Sequence, residues 1–334
     1  MKGEKAMTGY DIIGDIHGCA SELATLLGEL GYQRDAAGAY RHPDRTAVFV
    51  GDLVDRGPEQ LEVLRIVEAI LEAGTAHVAM GNHEFNAIAY ATRHPETGEP
   101  LRPNNVQNTR QHQAFLSQLT PDEQDHYRQW FTTLPLWLDL GGIRVVHACW
   151  HEPSMRVIEA ATGSARLSDV EHYVEASRKG APLYEAVETL LKGPEISLTR
   201  YGAQPYWDKD HHRRDRARIR WWDSDATTLR ELAETRGALT ESGQPYPPLP
   251  ADPVDPEEGR TYLYGDPVPL FYGHYWRVWE PAHTEDWTRY TACVDFSAVK
   301  SGHLVAYRWS GEPEISRDNY VPHTLDVVAA DPSA

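Results

Sequence analysis

Cysteine is scarce in this chain of 334 residues: Cys19, Cys149 and Cys293 are too few and too scattered for a disulfide framework. No spacing among them suggests a zinc finger. Long apolar runs are missing as well, and no stretch approaches the length that spans a bilayer. Met1–Gly9 has lysines but no apolar run behind them, so no secretory signal is expected there. Basic residues are outnumbered, 32 against 50 acidic ones, for a formal net charge of −18. That balance argues against broad nucleic-acid or anionic-membrane binding through bulk charge. An anionic ligand would need a locally positive pocket. The expected setting is reducing and cytoplasmic. No internal repeat is found.

What is present is ordinary globular material, 41% apolar and 25% charged, long enough for one large domain with insertions or two smaller ones. The first half alternates strand and helix. Tyr10–Ile13, Ala47–Val50 and Ala76–Met80 read as strands. Between them, Leu23, Leu26, Leu27 and Leu30 recur at helical spacing, and Leu61, Leu64, Val67 and Leu71 do so after Pro58, which is expected to open its helix. Strand–helix–strand order implies parallel pairing with right-handed crossovers, so the three strand C-termini share one edge. A polar helical excursion follows over residues 85–135, then a strand at Ile143–Val146. Residues 152–262 read as an insertion with amphipathic stretches near Val157–Ala161 and Ala181–Leu191, the basic aromatic stretch His211–Trp222 and a Pro-rich loop from Gln244 to Pro256. Leu270–Tyr272, Tyr290–Asp295 and Leu304–Trp309 return as strands.

Five of these strands run into short polar signatures: Gly14-Asp15-Ile16-His17-Gly18, Gly51-Asp52-Leu53-Val54-Asp55-Arg56-Gly57, Gly81-Asn82-His83-Glu84, His147-Ala148 and Gly273-His274. Glycine lets the backbone turn sharply beside a crowded site. Asp, His and Asn donors suit divalent ions such as manganese, iron or zinc. Gathered on one edge, they suffice for two metals about 3.5–4 Å apart that share a carboxylate.

In order and spacing these signatures resemble the calcineurin-like metallophosphoesterase superfamily, and within it the phosphoprotein-phosphatase branch. The likeness is strong over the first ~90 residues, where three βαβ-type spacings recur, and resumes at residues 143–148 and 270–309. It implies an α/β fold, a metallophosphoesterase-type β-sandwich flanked by helices, with a long insertion between the fourth and fifth motif strands. The expected division is a first core part at 1–151, an insertion or lid at 152–262 and a second core part at 263–334. By resemblance, Asp15 and His17 would ligate one metal, Asp52 would bridge, and Asn82, His147 and His274 would complete the second. The two divalent ions would be manganese, with iron or zinc as alternatives. His83 would be the general acid, oriented by Asp55, and Arg56 would grip the phosphate. A hydroxide bridging the metals would be the nucleophile.

The departures narrow the choice. His147 is followed by Ala148-Cys149-Trp150 where protein phosphatases usually have Gly-Gly, and His274 by Tyr275-Trp276 where they usually have Thr or Ser. Nuclease-like branches place a second ligating His two residues after the last one, and Trp276 cannot ligate. Gly-Asp-Ile-His-Gly-Cys and the helix ending in Leu30-Gly31-Tyr32 resemble small bacterial members, including symmetrical diadenosine-tetraphosphatases and a spore-type phosphatase. The former usually have Ala-Arg-Gly where this chain has Asp55-Arg56-Gly57.

The run Asp208–Trp222 admits two readings. It is either a solvated loop or a lid in which Arg218 or Arg220 grips phosphate and Trp221 or Trp222 stacks a base. The expected substrate is a phosphomonoester or phosphoprotein, with a dinucleoside polyphosphate as the alternative. A scaffold that kept the fold and lost catalysis is the rival class. Such a chain is expected to have replaced ligands, and here every motif position is filled.

Overall fold

A computed structural model of the protein describes residues 9–208, 211–279, 287–300 and 302–324. Residues 1–8 of the N-terminal segment, Lys209 and Asp210 of the basic run, and the chain after Thr324 lie outside them.

Period-2 alternation of side chains builds the frame. Ile12, Val48, Val145, Phe271 and Ala292 meet in an apolar layer between two sheets. Their chain neighbours Ile13, Phe49, Val146, Tyr272 and Cys293 face the opposite way and join a larger cluster that includes the helices. The first sheet runs Asp295–Phe296, His303–Trp309, Gly9–Ile13, Arg45–Phe49, Ala76–Val78, with Tyr320–Pro322 also paired to His303–Trp309. The second runs Thr291–Cys293, Leu270–Tyr272, Arg144–Val146, Trp137–Asp139. The expected sandwich flanked by helices is the observed architecture.

Parallel pairing aligns the strand ends. Ile13 lies opposite Phe49, Phe49 opposite Val78, and Tyr272 is flanked by Val146 and Cys293. The helices Ala20–Glu29 and Gln60–Glu72 cover the outer face of the first sheet with Leu23, Leu26, Leu27, Val63, Leu64 and Val67. Burying each such side chain stabilises the fold by about 1.5–3 kcal/mol.

Three details differ from the sequence reading. The second helix begins at Gln60, with Glu59 rather than Pro58 preceding it. Glu59 is held there because its carboxylate accepts from the N–H and hydroxyl of Ser21. The stretch expected as one strand over Tyr290–Asp295 divides between sheets: Thr291–Cys293 pairs with Leu270–Tyr272, and Asp295–Phe296 pairs with His303–Trp309. The strand Trp137–Asp139, antiparallel to Arg144–Val146, was not anticipated.

Residues 152–262 contain the helices Glu152–Thr162, Val170–Ser177 and Pro182–Lys192. They also form a small sheet of Ala233–Glu234, Arg216–Ile219 and Glu195–Ser197. Leu190, Ile219, Trp221 and Trp222 from this segment share the larger cluster with Tyr272 and Cys293 on the outer face of the second sheet. Among the described residues, no helix is long and apolar enough to cross a membrane.

Candidate metal centre

Each predicted ligand follows the C-terminal end of a strand. Asp15 and His17 follow Gly9–Ile13, Asp52 follows Arg45–Phe49, and Asn82 and His83 open the helix Asn82–Ala91 just after Ala76–Val78. His147 follows Arg144–Val146 and His274 follows Leu270–Tyr272. Both sheets therefore contribute to one edge. The turns are tight and strained. His17, Asp52, Asp55, Arg56, His274, Trp276 and Ser297 hold left-handed φ values between 48° and 74°, which cost side-chain-bearing residues energy and gather at functional sites. Glycine is required where chains touch: a Cβ on Gly273 would overlap Oδ1 of Asp15, and one on Gly81 would overlap the amide and carboxylate of Asp52.

Asp52 stands at the centre. Its Oδ2 lies 3.5 Å from Nε2 of His17 and 3.8 Å from Nε2 of His83, and its Oδ1 lies 3.4 Å from Nε2 of His147. Two metal-sized groups of donors result, His17–Asp52–His83 and Asp52–His147–His274, with Asp52 common to both. Asn82 joins the second through Oδ1, 3.2 Å from Nε2 of His147. Asp15 is tied to the edge by Oδ2, which accepts the His274 N–H at 3.0 Å. All of these residues are buried.

The imidazoles are oriented from behind. Nδ1 of His17 donates to the Val54 carbonyl and Nδ1 of His147 to the Val50 carbonyl, each at 2.9 Å, which turns each Nε2 into the site. Among the described residues, Oδ1 of Asp15 and Nε2 of His17 and His274 are buried without a hydrogen-bond partner. Buried polar atoms rarely go unpaired; His17 and His274 belong to different donor groups, and unpaired carboxylate oxygen and imidazole nitrogen along one edge suit divalent cations.

Electrostatics point the same way. Burial, then the charge of His83, lowers the His17 pKa to about 3. Burial, then Arg218 and His147, holds His274 well below the usual histidine range. Both are neutral, as ligation requires. Burial works against ionising Asp52, but His147, His83 and His17 outweigh it and hold its pKa well down. Burial, then Asp295 and Asp52, pushes the Asp15 pKa well up, as carboxylates crowded together do.

Beside this cluster lies a second unit. Nδ1 of His83 donates to Oδ2 of Asp55 at 2.6 Å, and Nδ1 of His112 donates to Oδ1 of the same carboxylate at 2.7 Å. Burial opposes charge on Asp55, yet the bonds from His112 and His83 lower its pKa to about 2. Nε2 of His83 faces Nη2 of Arg56 at 3.3 Å. The exposed Arg56 guanidinium rests on the Trp276 ring, 3.9 Å from its centroid.

Of the four residues expected in a lid, Arg218 alone reaches this edge electrically, through its effect on His274; its guanidinium lies 5.7 Å from the Tyr275 ring. Arg220 turns toward Asp223, 3.9 Å away. Trp221 and Trp222 are corrected by burial, at 0% and 2% exposure. Trp221 donates to the Tyr275 hydroxyl and Trp222 stacks on Tyr272, so neither has an indole face for a base. Arg214 and Arg216 pair with Asp208 and Glu195 at the surface, as a solvated strand would.

Sequence reasoning gave no role to His112, Glu84 or Asp295, and took Trp276 only as a residue that cannot ligate. Asp295 is buried next to Asp15 and accepts the Trp276 N–H at 2.7 Å and the Ser297 N–H at 3.0 Å. Its one signal was an acid closing the apolar stretch Ala292–Val294. His112 gave none, lying in a polar excursion 57 residues from its partner Asp55.

A family model described as calcineurin-like phosphoesterase matches residues 10–228. This chain belongs to that family. Its members are phosphoesterase hydrolases, and a dinuclear metal centre is their general property. Among curated relatives, an asymmetrical bis(5'-nucleosyl)-tetraphosphatase PrpE of Halalkalibacterium halodurans is 52% identical over 75 residues, 22% of this chain and 30% of the relative. The PrpE of Bacillus subtilis is 34% identical over 145 residues, 42% of this chain and 57% of that protein. The match thus spans from under a third to little more than half of these relatives. A solved serine/threonine phosphatase of Saccharomyces cerevisiae similar to human PP5 superposes with a TM-score of 0.47 at 16% identity, over 98% of this chain and 82% of that one.

Proposed function

We propose that this phosphoesterase hydrolyses phosphomonoesters or phosphoproteins at a pair of divalent cations held by Asp15, His17, Asp52, Asn82, His147 and His274. The observation that carries the proposal is Asp52, shared by both donor groups while facing His83, which is itself braced by Asp55. Two cations bound there supply a nucleophile at neutral pH and neutralise charge at the phosphate. Manganese suits a donor set of carboxylate, amide oxygen and imidazole, with iron or zinc as alternatives.

The chain's own groups do the rest. Arg56 presents a planar fork to phosphate oxygens from its seat on Trp276. Arg218 adds positive charge near His274. His83 gives the Nε2 proton to the departing oxygen, while Asp55 holds Nδ1–H and stabilises the imidazolium. The three cysteines are free and buried, which fits a reducing, cytoplasmic setting.

The second reading, dinucleoside polyphosphate hydrolysis, draws on the names of the PrpE relatives. The burial of Trp221 and Trp222 counts against it, since the expected base-stacking element is absorbed into the core. The test compares kcat/KM for diadenosine tetraphosphate and a phosphothreonine peptide, with manganese present, in wild type and Arg218→Ala. A preference of about a hundredfold or more for the dinucleotide, equivalent to about 2.7 kcal/mol of transition-state stabilisation, would reverse the ranking.

A further inference from the structure

We propose that His112 is a positioning residue for the acid His83, acting through the carboxylate of Asp55. The proposal rests on the reading of His83 as the acid.

Asp55 is buried, and its two oxygens are divided between two imidazoles, Oδ2 to His83 and Oδ1 to His112. A carboxylate held at one oxygen can turn about its Cβ–Cγ bond. One held at both cannot, and the direction in which it presents Oδ2 is fixed. The Asp55 backbone is pinned too: its N–H donates to Oε1 of Gln60 at 2.6 Å, and its φ is +71°. His112 is the remaining clamp.

His112 is itself rigid. It lies between the short helices Val106–Gln111 and Gln113–Gln118, and its N–H donates to the Asn108 and Thr109 carbonyls at 3.1 and 3.2 Å. The ring stacks on Phe115 at 4.8 Å with an interplanar angle of 17°, and Tyr90 lies 5.5 Å away on a tilt. This gives the polar excursion after His83 a task, since it brings one side chain back to the acid.

Removing the His112 donor leaves a buried carboxylate oxygen unpaired and frees the carboxylate to turn. His83 then spends less time aligned with the leaving oxygen. The loss therefore follows how much protonation the leaving group needs. A residue that merely packs would slow good and poor leaving groups alike.

The experiment uses full-length protein with manganese and two substrates, p-nitrophenyl phosphate and phenyl phosphate. Three variants are compared: His112→Phe keeps the stacked ring without a donor, His112→Asn keeps an N–H near the Nδ1 position, and His83→Asn serves as reference. We expect His112→Phe to lower kcat on phenyl phosphate about 10–100-fold and on p-nitrophenyl phosphate under about threefold, with KM and manganese content near wild type and Tm lowered by the unpaired carboxylate oxygen. His112→Asn should recover most of the loss. In the His83→Asn background, His112→Phe should cost nothing further, because both act through one proton.

If His83→Asn distinguishes the two substrates but His112→Phe does not, the role of His112 is refuted and the acid reading stands. If His83→Asn shows no distinction, the acid reading itself fails. Should His112→Phe not fold, His112→Asn and its combination with His83→Asn still decide. A loss in His112→Asn that is equal on both substrates and additive with His83→Asn overturns the proposal.

Discussion

The buried carboxylate of Glu84 accepts the backbone N–H of Asp52 at 2.9 Å. The same group accepts the N–H of Leu53 at 2.8 Å and that of Gly81 at 2.9 Å. One side chain thus fixes the turn that presents the proposed bridging ligand to the loop that presents Asn82 and His83. Glu84→Ala would strand these donors at a cost of about 1–3 kcal/mol each, offset in part by relaxation. We expect an overall loss of about 3–5 kcal/mol in urea unfolding, large for a single substitution. A loss below about 1 kcal/mol would show that the turn holds without it.

Asp52 belongs to both donor groups, so Asp52→Asn should disturb both metals at once. Elemental analysis after gel filtration is expected to find well under one metal per chain, against two for wild type. Substituting His274, which belongs to one group, should spare the other. Equal retention in the two variants would remove Asp52 from the bridging role. Chelation should abolish phosphatase activity and added manganese restore it; full activity in metal-free protein would dismiss the two-metal reading altogether.

His83→Asn should lower kcat on phenyl phosphate by about 10²–10⁴ while metal content stays near normal. The deficit should shrink on p-nitrophenyl phosphate, whose leaving oxygen needs little protonation. An equal deficit on both would reduce His83 to a support for its neighbours.

Trp222 stacks on Tyr272 with centroids 5.4 Å apart and has the Arg277 guanidinium 4.9 Å from its ring. Trp222→Ala is expected to destabilise the fold by about 3–5 kcal/mol, as for other large buried aromatics. The ratio of activities on diadenosine tetraphosphate and p-nitrophenyl phosphate should not change. A stable variant with a changed ratio would restore Trp222 to substrate binding.

Burial, then Arg156, lowers the His151 pKa from 6.5 to about 4. The folded state binds this proton less readily than the unfolded chain does, so protonation favours unfolding. The contribution is intact above pH 6.5, falls as pH drops below that value and is fully lost near pH 4. His151→Gln, which cannot charge, should show a smaller fall in Tm than wild type between pH 7 and pH 5. Parallel curves would assign acid sensitivity elsewhere.

Strand ends and their turns were legible in the sequence because their causes are local. Gly9–Ile13 and Leu270–Tyr272 are buried on both faces and so read as short apolar runs, and Gly–Asp, Gly–Asn and Gly–His steps mark where a chain must turn and offer donors at once. The chain alone therefore determined the donor chemistry and the parallel order that brings Asp15, Asp52 and Asn82 to one edge. Tertiary structure decided what depends on distance in sequence. His112 meets Asp55 only because a helical excursion folds back, Asp295 reaches Asp15 because the chain changes sheets after Cys293, and Glu84 meets Asp52 across two turns. It also reversed the reading of Trp221-Trp222. An aromatic pair beside arginines has the composition of a ligand site, yet the apolar outer face of a sheet offers those rings more burial than any ligand would.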